Sequence, residues 1–404
     1  MRKAHLPTVL SAAILAGVFL SACLLIRNKG LILDEAKYYE KFASFMRGDF
    51  RNAGDYTVFP GHLYFLYAAG NLFHVTDVSG LRLVSSVVCF SAVLSFLFLA
   101  RKVSPGSSLT KLLQFSFLPI VFPFYFLLYT DVLSLSLVLA ALLLALSGRT
   151  GPAALTALAG CFVRQNNIVW MAFLFLLACR PEHVLPDGPK RLLAHARRNW
   201  VFVAAAAVFA AFVIANGGFT YGDRWAHPLG RPYFGNLYLL LFFFFALFLP
   251  HNLYQLPRIV RRVRSARTAV PLVALAFVVY HLTFTSDHPY NATATRYLIG
   301  NFLLDVLDSN FWLKSLFFLP VAYSVLSLTV TRLSERSFYL LYPFTFLYLA
   351  PSWLIEPRYY FIPFAFFILF KREEDRRVEY AAISLNAVLA AVLFGGVLSG
   401  RLFL

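Results

Sequence analysis

The sequence predicts an all-α polytopic membrane protein, and three observations predict it. Of its 404 residues, 60% are hydrophobic and 14% charged, and the mean hydropathy is +0.69, too apolar for a surface that water must solvate. Apolar runs at 6–26, 83–100, 201–215 and 381–398 approach or reach the roughly 20 residues that cross a bilayer as a helix. Those runs are unbroken, whereas a membrane barrel alternates, so the backbone polar groups must be paired inside helices.

The elements follow in chain order. The run 6–26, preceded by Arg2 and Lys3, reads as a first span rather than a cleaved signal peptide, because so many further spans follow it. Residues 27–81 form a long polar loop with a charged amphipathic stretch over 34–50 and a Pro60-Gly61 turn. The thirteen apolar residues 61–73 are too short to cross and are expected as a juxtamembrane helix in the interface. Counting the rest gives roughly thirteen transmembrane helices in a single membrane domain over 1–404, with no repeat, linker or soluble domain. Basic residues then fall on one side, in segments 101–111, 148–151, 180–199, 252–268, 331–336 and 371–377, as the positive-inside rule requires of cytosolic loops.

The formal charge of +17 therefore reflects topology. Its cations are dispersed over short loops, which argues against a nucleic-acid partner. Cys23, Cys89, Cys161 and Cys179 lie in or at the ends of apolar segments, which argues against disulfides and a metal site and for packing.

Residues able to do chemistry gather on the non-cytosolic side. Asp34 and Glu35 follow the first span directly. A carboxylate at a membrane surface suits a general base for a hydroxyl, although Asp34 could equally cap the helix it starts. Asp55 and His62 flank the Pro60-Gly61 turn, which is satisfied as turn chemistry alone. Asp131 stands at the outer end of a span, where capping is the simpler account. Arg164, Gln165, Asn166 and Asn167 interrupt an apolar stretch, so they either line a cavity or form an interhelical network. Asp223, Arg224 and His227 follow a glycine-rich turn and suit a sugar or a headgroup, with an Asp223–Arg224 pair bracing the loop as the alternative. Arg296 with Tyr297, and Arg358 with Tyr359, place guanidinium groups at the surface, where they hold phosphate or anchor helices. Asn291-Ala292-Thr293 is an N-glycosylation pattern that agrees with a luminal loop.

In order along the chain, these islands resemble the dolichyl-phosphate-glucose-dependent alpha-1,2-glucosyltransferases of the endoplasmic reticulum. The resemblance rests on Asp34-Glu35, Pro60-Gly61 with Leu63-Tyr64, Tyr129-Thr130 with a following acid, Arg164-Gln165 and Asn167-Ile168-Val169-Trp170. It continues with Asn216-Gly217-Gly218, Gly222-Asp223-Arg224, Leu354, Glu356, Arg358-Tyr359 and Pro363. It implies a C-type glycosyltransferase fold, a luminal active site and an inverting, metal-independent transfer without a cofactor. The substrates it implies are dolichyl phosphate glucose as donor and the terminal glucose of a dolichol-diphosphate-linked oligosaccharide as acceptor. It makes Asp34 the base, Glu35 its neighbour and Asp55 a secondary candidate, with Arg296, Tyr297 and Arg358 at the donor phosphate. Arg164, Gln165, Asn166, Asp223, Arg224 and His227 are left as candidate sugar or acceptor contacts. Where the family commonly has Asp-Asn-Arg-His-Tyr, this chain has Ala294-Thr295-Arg296-Tyr297, keeping the arginine without the acid. The rivals are another polyprenyl-phosphate-sugar transferase of the same fold and a transporter; the latter would show inverted repeats and midplane charges.

Overall fold

The computed structural model describes residues 5–50, 56–178, 188–228, 231–266, 268–292 and 299–403. Asp55, Cys179, Arg296 and Tyr297 lie outside them. Among the described residues the chain is helical without a strand, and one isolated bridge joins Leu333 to Lys371.

Helix α1 (His5–Ile26) carries the first apolar run. Leu15, Phe19, Ala22, Cys23 and Ile26 are buried in the main core, and Phe19 meets Phe122 and Phe126 edge-on at 5.7 and 5.4 Å. That packing makes α1 part of the bundle. Helices α2 (Glu35–Met46) and α3 (Gly61–Phe73) fill the long loop, and α3 has the bounds expected of the juxtamembrane helix. Gly61 is required by close approach, since a Cβ there would lie 2.5 Å from the Phe162 carbonyl oxygen.

Helices α4 (Val78–Val103), α5 (Ser108–Ser116), α6 (Thr130–Leu146), α7 (Thr150–Val163) and α8 (Ile168–Ala178) follow. Lipid offers apolar side chains no less comfort than a helix partner does, so such helices associate through close packing and small residues. Accordingly Ala153, Ala154, Ala157, Gly160 and Cys161 are the buried face of α7, the helix that packs most closely on α6.

Two later pairs turn sharply. Helix α9 (Gly188–Arg198) meets α10 (Trp200–Ala215) at 84°, and α11 (Gly235–Leu247) meets α12 (Leu249–Ser265) at 96°. A break leaves backbone carbonyls without partners, which lipid cannot supply. Asn252 answers this by donating to Phe244 O and Phe245 O at 3.1 Å each, and Ser327 donates to Asn252 Oδ1 at 2.7 Å. The segment 252–268, expected as a basic loop, is thus largely helix α12. Its arginines beside exposed Leu253 and Leu256 form the pattern of a helix lying in the interface.

The chain ends with α13 (Ala269–Thr283), α14 (Pro289–Ala292), α15 (Ile299–Ser309), α16 (Phe311–Val330), α17 (Leu341–Leu349), α18 (Phe361–Phe370) and α19 (Arg376–Leu398). Every residue of α18 is buried, so it is the axis of the bundle. Among the described residues, three helices are long and apolar enough to cross a membrane, α4, α16 and α19, or five if each bent pair is one span. Further apolar helices have 10–17 residues. The count of full-length helices is therefore well below the expected thirteen, because polar turns such as Gln165–Asn167 and Pro357–Tyr360 split the apolar runs.

Candidate active site

Asp34 and Glu35 are neighbours with opposite surroundings. Leu33 adopts φ +50°, a left-handed conformation that costs a branched side chain roughly 1–2 kcal/mol. Glu35 is fully buried and is ion-paired with Arg82, itself fully buried. It accepts hydrogen bonds from Arg82 Nε at 3.0 Å, Leu128 N at 2.8 Å and Ile32 N at 2.9 Å. Arg82 donates onward to the carbonyls of Ile26, Lys29 and Gly30 at 2.7–2.9 Å. Glu35 therefore staples α1, α2, α4 and the approach to α6, and it lines none of the cavities described below.

Asp34 occupies the N-cap position of α2, yet its side chain makes no capping hydrogen bond. Its Oδ2 accepts from Arg358 Nη2 at 2.9 Å, and the side chain keeps 37% exposure. Its backbone is pinned by Tyr129, whose hydroxyl accepts from Asp34 N at 3.1 Å and donates to Ile32 O at 3.2 Å.

Arg358 sits in the 3₁₀ turn that leads into α18 and is the centre of an ionic cluster. It donates from Nε to Glu356 Oε1 and from Nη2 to Glu356 Oε2, both at 2.8 Å. Its Nη1 lies 3.7 Å from Asp131, and its guanidinium stacks 4.9 Å over the Tyr129 ring. Asp131, 1% exposed, is also ion-paired with Arg164, whose guanidinium lies 5.2 Å over Tyr359. Asp131 thus joins two arginines, a role its sequence position suggested only as a cap.

The tetrad 164–167 divides. Asn167 donates to Ser134 Oγ at 2.7 Å and Gly160 O at 2.8 Å and belongs to the packing of α6, α7 and α8. Arg164, Gln165 and Asn166 line a cavity of about 320 Å³ with His227, Tyr348 and Trp353. A second cavity of about 250 Å³ is lined by Asp34, Lys37, Tyr290, Asn301, Glu356 and Arg358. A third of about 100 Å³ lies between, sharing Asp34, Lys37 and Arg358 with the second and Arg164, His227 and Tyr359 with the first. Together they make one groove, built from the loops that charge counting had placed on a single side.

In the 216–234 loop, Asp223 at φ +48° accepts from the Tyr290 hydroxyl at 2.6 Å and lines the central cavity. Arg224 does not pair with it. Arg224 donates to the Asn216, Gly217 and Thr220 carbonyls and is exposed, so it braces its own loop outside the groove. Burial, then neighbouring His288, pushes the His227 pKa down to about 4, so the imidazole is a neutral wall of the groove. His62, held near 3 by burial, packs against Tyr38 at 5.5 Å. Asn291 is buried and spends its amide on Ile355, accepting at 3.0 Å and donating at 2.9 Å. That arrangement gives the Asn291 side chain a packing role against the Ile355 backbone.

Lys37, Glu356, Asp131, Tyr290 and Trp353 were missed by the sequence reading as site residues. Two carried a local signal: Lys37 follows Asp34 by three residues, one helical turn, and Glu356 precedes Arg358 by two.

A sequence profile described as the DIE2/ALG10 family matches residues 29–185 and 184–369. A Drosophila melanogaster relative is 27% identical, with 90% of this chain and 89% of the relative covered. One from Debaryomyces hansenii is 25% identical over 67% of this chain, and a human one is 26% identical over 73% of this chain and 72% of the relative. Each is named Dol-P-Glc:Glc(2)Man(9)GlcNAc(2)-PP-Dol alpha-1,2-glucosyltransferase. The chain spans 65% of the length of the Debaryomyces relative and 56% of one from Kluyveromyces lactis. No solved structure matches. The matched segments contain the acids after α1, the Arg164 turn and the Arg358 turn, and the chain belongs to the DIE2/ALG10 family.

Proposed function

We propose that this chain is a dolichyl-phosphate-glucose-dependent alpha-1,2-glucosyltransferase. It would add glucose to the terminal glucose of a dolichol-diphosphate-linked oligosaccharide in N-glycan precursor assembly. The observation that carries the reading is the 2.9 Å contact between Asp34 and Arg358 on the wall of one groove. The names of the relatives support the choice of donor and acceptor. The C-type glycosyltransferase fold and an endoplasmic-reticulum membrane location, with the groove facing the lumen, belong to the same proposal. Arginines at 258, 261, 262 and 264 on α12, a segment assigned by charge counting to the other side, support that orientation.

In this mechanism the 2-hydroxyl oxygen of the acceptor glucose attacks the anomeric carbon of the donor from the face opposite the phosphate. The bond from that carbon to the phosphate oxygen breaks, and its electron pair leaves with dolichyl phosphate. The hydroxyl proton passes to Asp34, which Arg358 holds by Oδ2 so that Oδ1 is presented to the hydroxyl. A positioned base of this kind contributes roughly 10²–10⁴ in rate. Arg358, oriented beforehand by Glu356, Asp131 and Tyr129, places fixed positive charge beside the developing phosphate dianion, where it needs no reorganisation. Glu35 is assigned a positioning role through Arg82.

Glycan profiling tests the reading. Cells lacking the protein should accumulate lipid-linked oligosaccharide one glucose short, wild-type protein should restore the missing residue, and Asp34→Asn should not. A full-length oligosaccharide in the deletion strain would reject it.

A further inference from the structure

The groove is not uniform in charge. Among the described residues the cavity of about 250 Å³ carries two carboxylates, Asp34 and Glu356, and two cations, Arg358 and Lys37. Arg358 gives Nε and Nη2 to Glu356, Nη2 also to Asp34, and faces Asp131 with Nη1. Its charge is shared among three carboxylates. Among the described residues, an anion entering this cavity against Arg358 alone would meet net negative charge, and Lys37 brings the second cation that offsets it. Lys37 is exposed, lines both this cavity and the central one, and has its ammonium 5.7 Å from the centre of the Tyr290 ring. That ring is itself fixed by the hydroxyl bond to Asp223.

The cavity of about 320 Å³ differs. Among the described residues no carboxylate lines it, and the lining arginine, Arg164, is paired with Asp131. Tyr348 and Trp353 present aromatic surface there, Trp353 being held by its Nε1 bond to Asp287 at 2.9 Å and by stacking on Tyr233. In the same wall Arg164 Nε and Gln165 Oε1 are buried without a hydrogen-bond partner. One is a donor and the other an acceptor, and a hydroxyl group satisfies both kinds.

Resting on the glycosyltransferase reading, we propose that the groove is two unlike subsites meeting at Asp34. The cavity under Lys37 takes the phosphate of the polyprenyl donor. The cavity beside Gln165 and Asn166 takes the neutral, hydroxyl-rich acceptor sugar. The small cavity between them borders Asp34, so the attacking hydroxyl arrives from one side and the phosphate leaves on the other.

Steady-state kinetics of the full chain in lipid nanodiscs, with donor and acceptor varied separately, test the division. Lys37→Ala should raise the donor KM roughly 10- to 100-fold, the range for a lost charge-assisted hydrogen bond, and leave the acceptor KM unchanged. Lys37→Arg should restore much of the loss. Asn166→Ala should raise the acceptor KM and leave the donor KM unchanged. An unchanged donor KM in Lys37→Ala, or the two effects exchanged between the variants, overturns the assignment. A binding measurement with dolichyl phosphate and no acceptor separates this claim from the reaction itself. Weaker binding by Lys37→Ala supports the phosphate site even if wild-type protein transfers no glucose, in which case the reaction assignment falls alone. Equal binding by the two proteins removes the phosphate site even where transfer is observed.

Discussion

Two buried ionic clusters sit at opposite ends of α18. At its N-terminal end, Arg358 gathers Asp34, Glu356 and Asp131, and the cluster opens onto the groove. At its C-terminal end, Lys111 donates to Leu369 O and Lys371 O at 2.6 Å each, while Lys371 pairs with Glu379 and Gln114 bonds the same carboxylate. Lys111, Lys371 and Glu379 are all under 5% exposed, and none lines the groove. The second cluster caps the last carbonyls of α18 and docks α19 against α5. Charge in an apolar bundle thus has two uses, and adjacency to empty space separates them. Asp34 and Glu35 repeat the contrast over one peptide bond, one facing the groove and the other closed within the Arg82 pair.

Several substitutions can break or sharpen this contrast. The largest expected effect is on Asp34→Asn, which keeps the bond from Arg358 and loses the proton acceptor; transfer should fall by roughly 10²–10⁴-fold with the Tm unchanged. Near-normal turnover would remove Asp34 from the chemistry. The sealed cluster should respond in the opposite way. Glu379→Gln leaves buried Lys371 without its anion, which costs roughly 3–5 kcal/mol and should lower Tm and yield, with the kcat of the folded fraction unchanged. Replacing Lys371 and Glu379 together by Met should recover part of the stability, because it removes the unpaired Lys371 ammonium while Lys111 keeps its carbonyl partner at Leu369. A fall in kcat without a fall in Tm would place this cluster in the mechanism.

Between these cases stands Asp131→Asn. It removes the anion shared by Arg164 and Arg358, and the lost charge-assisted contacts are worth about 1.5–3 kcal/mol, or roughly a 10- to 100-fold lower kcat. Asp131→Glu should recover part of it, a rescue that a purely structural residue would not show in kcat.

A smaller effect concerns His227. Its folded-state pKa, near 4, lies below the unfolded value near 6.5, so the unfolded chain binds the proton first. The stability it contributes is complete above about pH 6.5 and declines as pH falls toward 4. Its charge does not change at neutral pH, and His227→Gln should leave the pH–rate profile between about pH 6 and 8 unaltered. Loss of an ionisation step in that window would contradict the assignment. The smallest effect expected is that of a chelator: EDTA should leave transfer unchanged, since the proposed charge stabilisation comes from side chains.

Much of the architecture was legible in the sequence, because length and hydropathy determine where helices run in an apolar solvent. Helix α3 has the bounds its apolar run suggested, and the loops assigned to one side by their shortage of basic residues meet at the groove. Burial by neighbours distant in sequence was not legible. Lys111 and Lys371 read as solvated loop cations, yet α18 ends between them and draws both into the interior. Glu35 read as a partner of Asp34, and only the position of Arg82 at the start of α4 shows it facing away. Among the described residues fewer full-length helices appear than the expected thirteen spans for a related reason: apolar runs report what lipid or protein can surround, and the interruptions that satisfy a groove are invisible to hydropathy. At the site, Asp34 and Arg358 were found as isolated surface charges, but their meeting depends on a fold that brings residues 34, 131, 164 and 358 together.

The central claim is that this groove moves glucose from a polyprenyl phosphate to a glucan. The most direct measurement uses the purified full chain in nanodiscs, labelled dolichyl phosphate glucose or dolichyl phosphate mannose, and a lipid-linked oligosaccharide bearing two glucoses. The account predicts a product heavier by one hexose with the glucose donor and none with the mannose donor. Labelled product from mannose, or no product from either by protein shown to be folded, would contradict it.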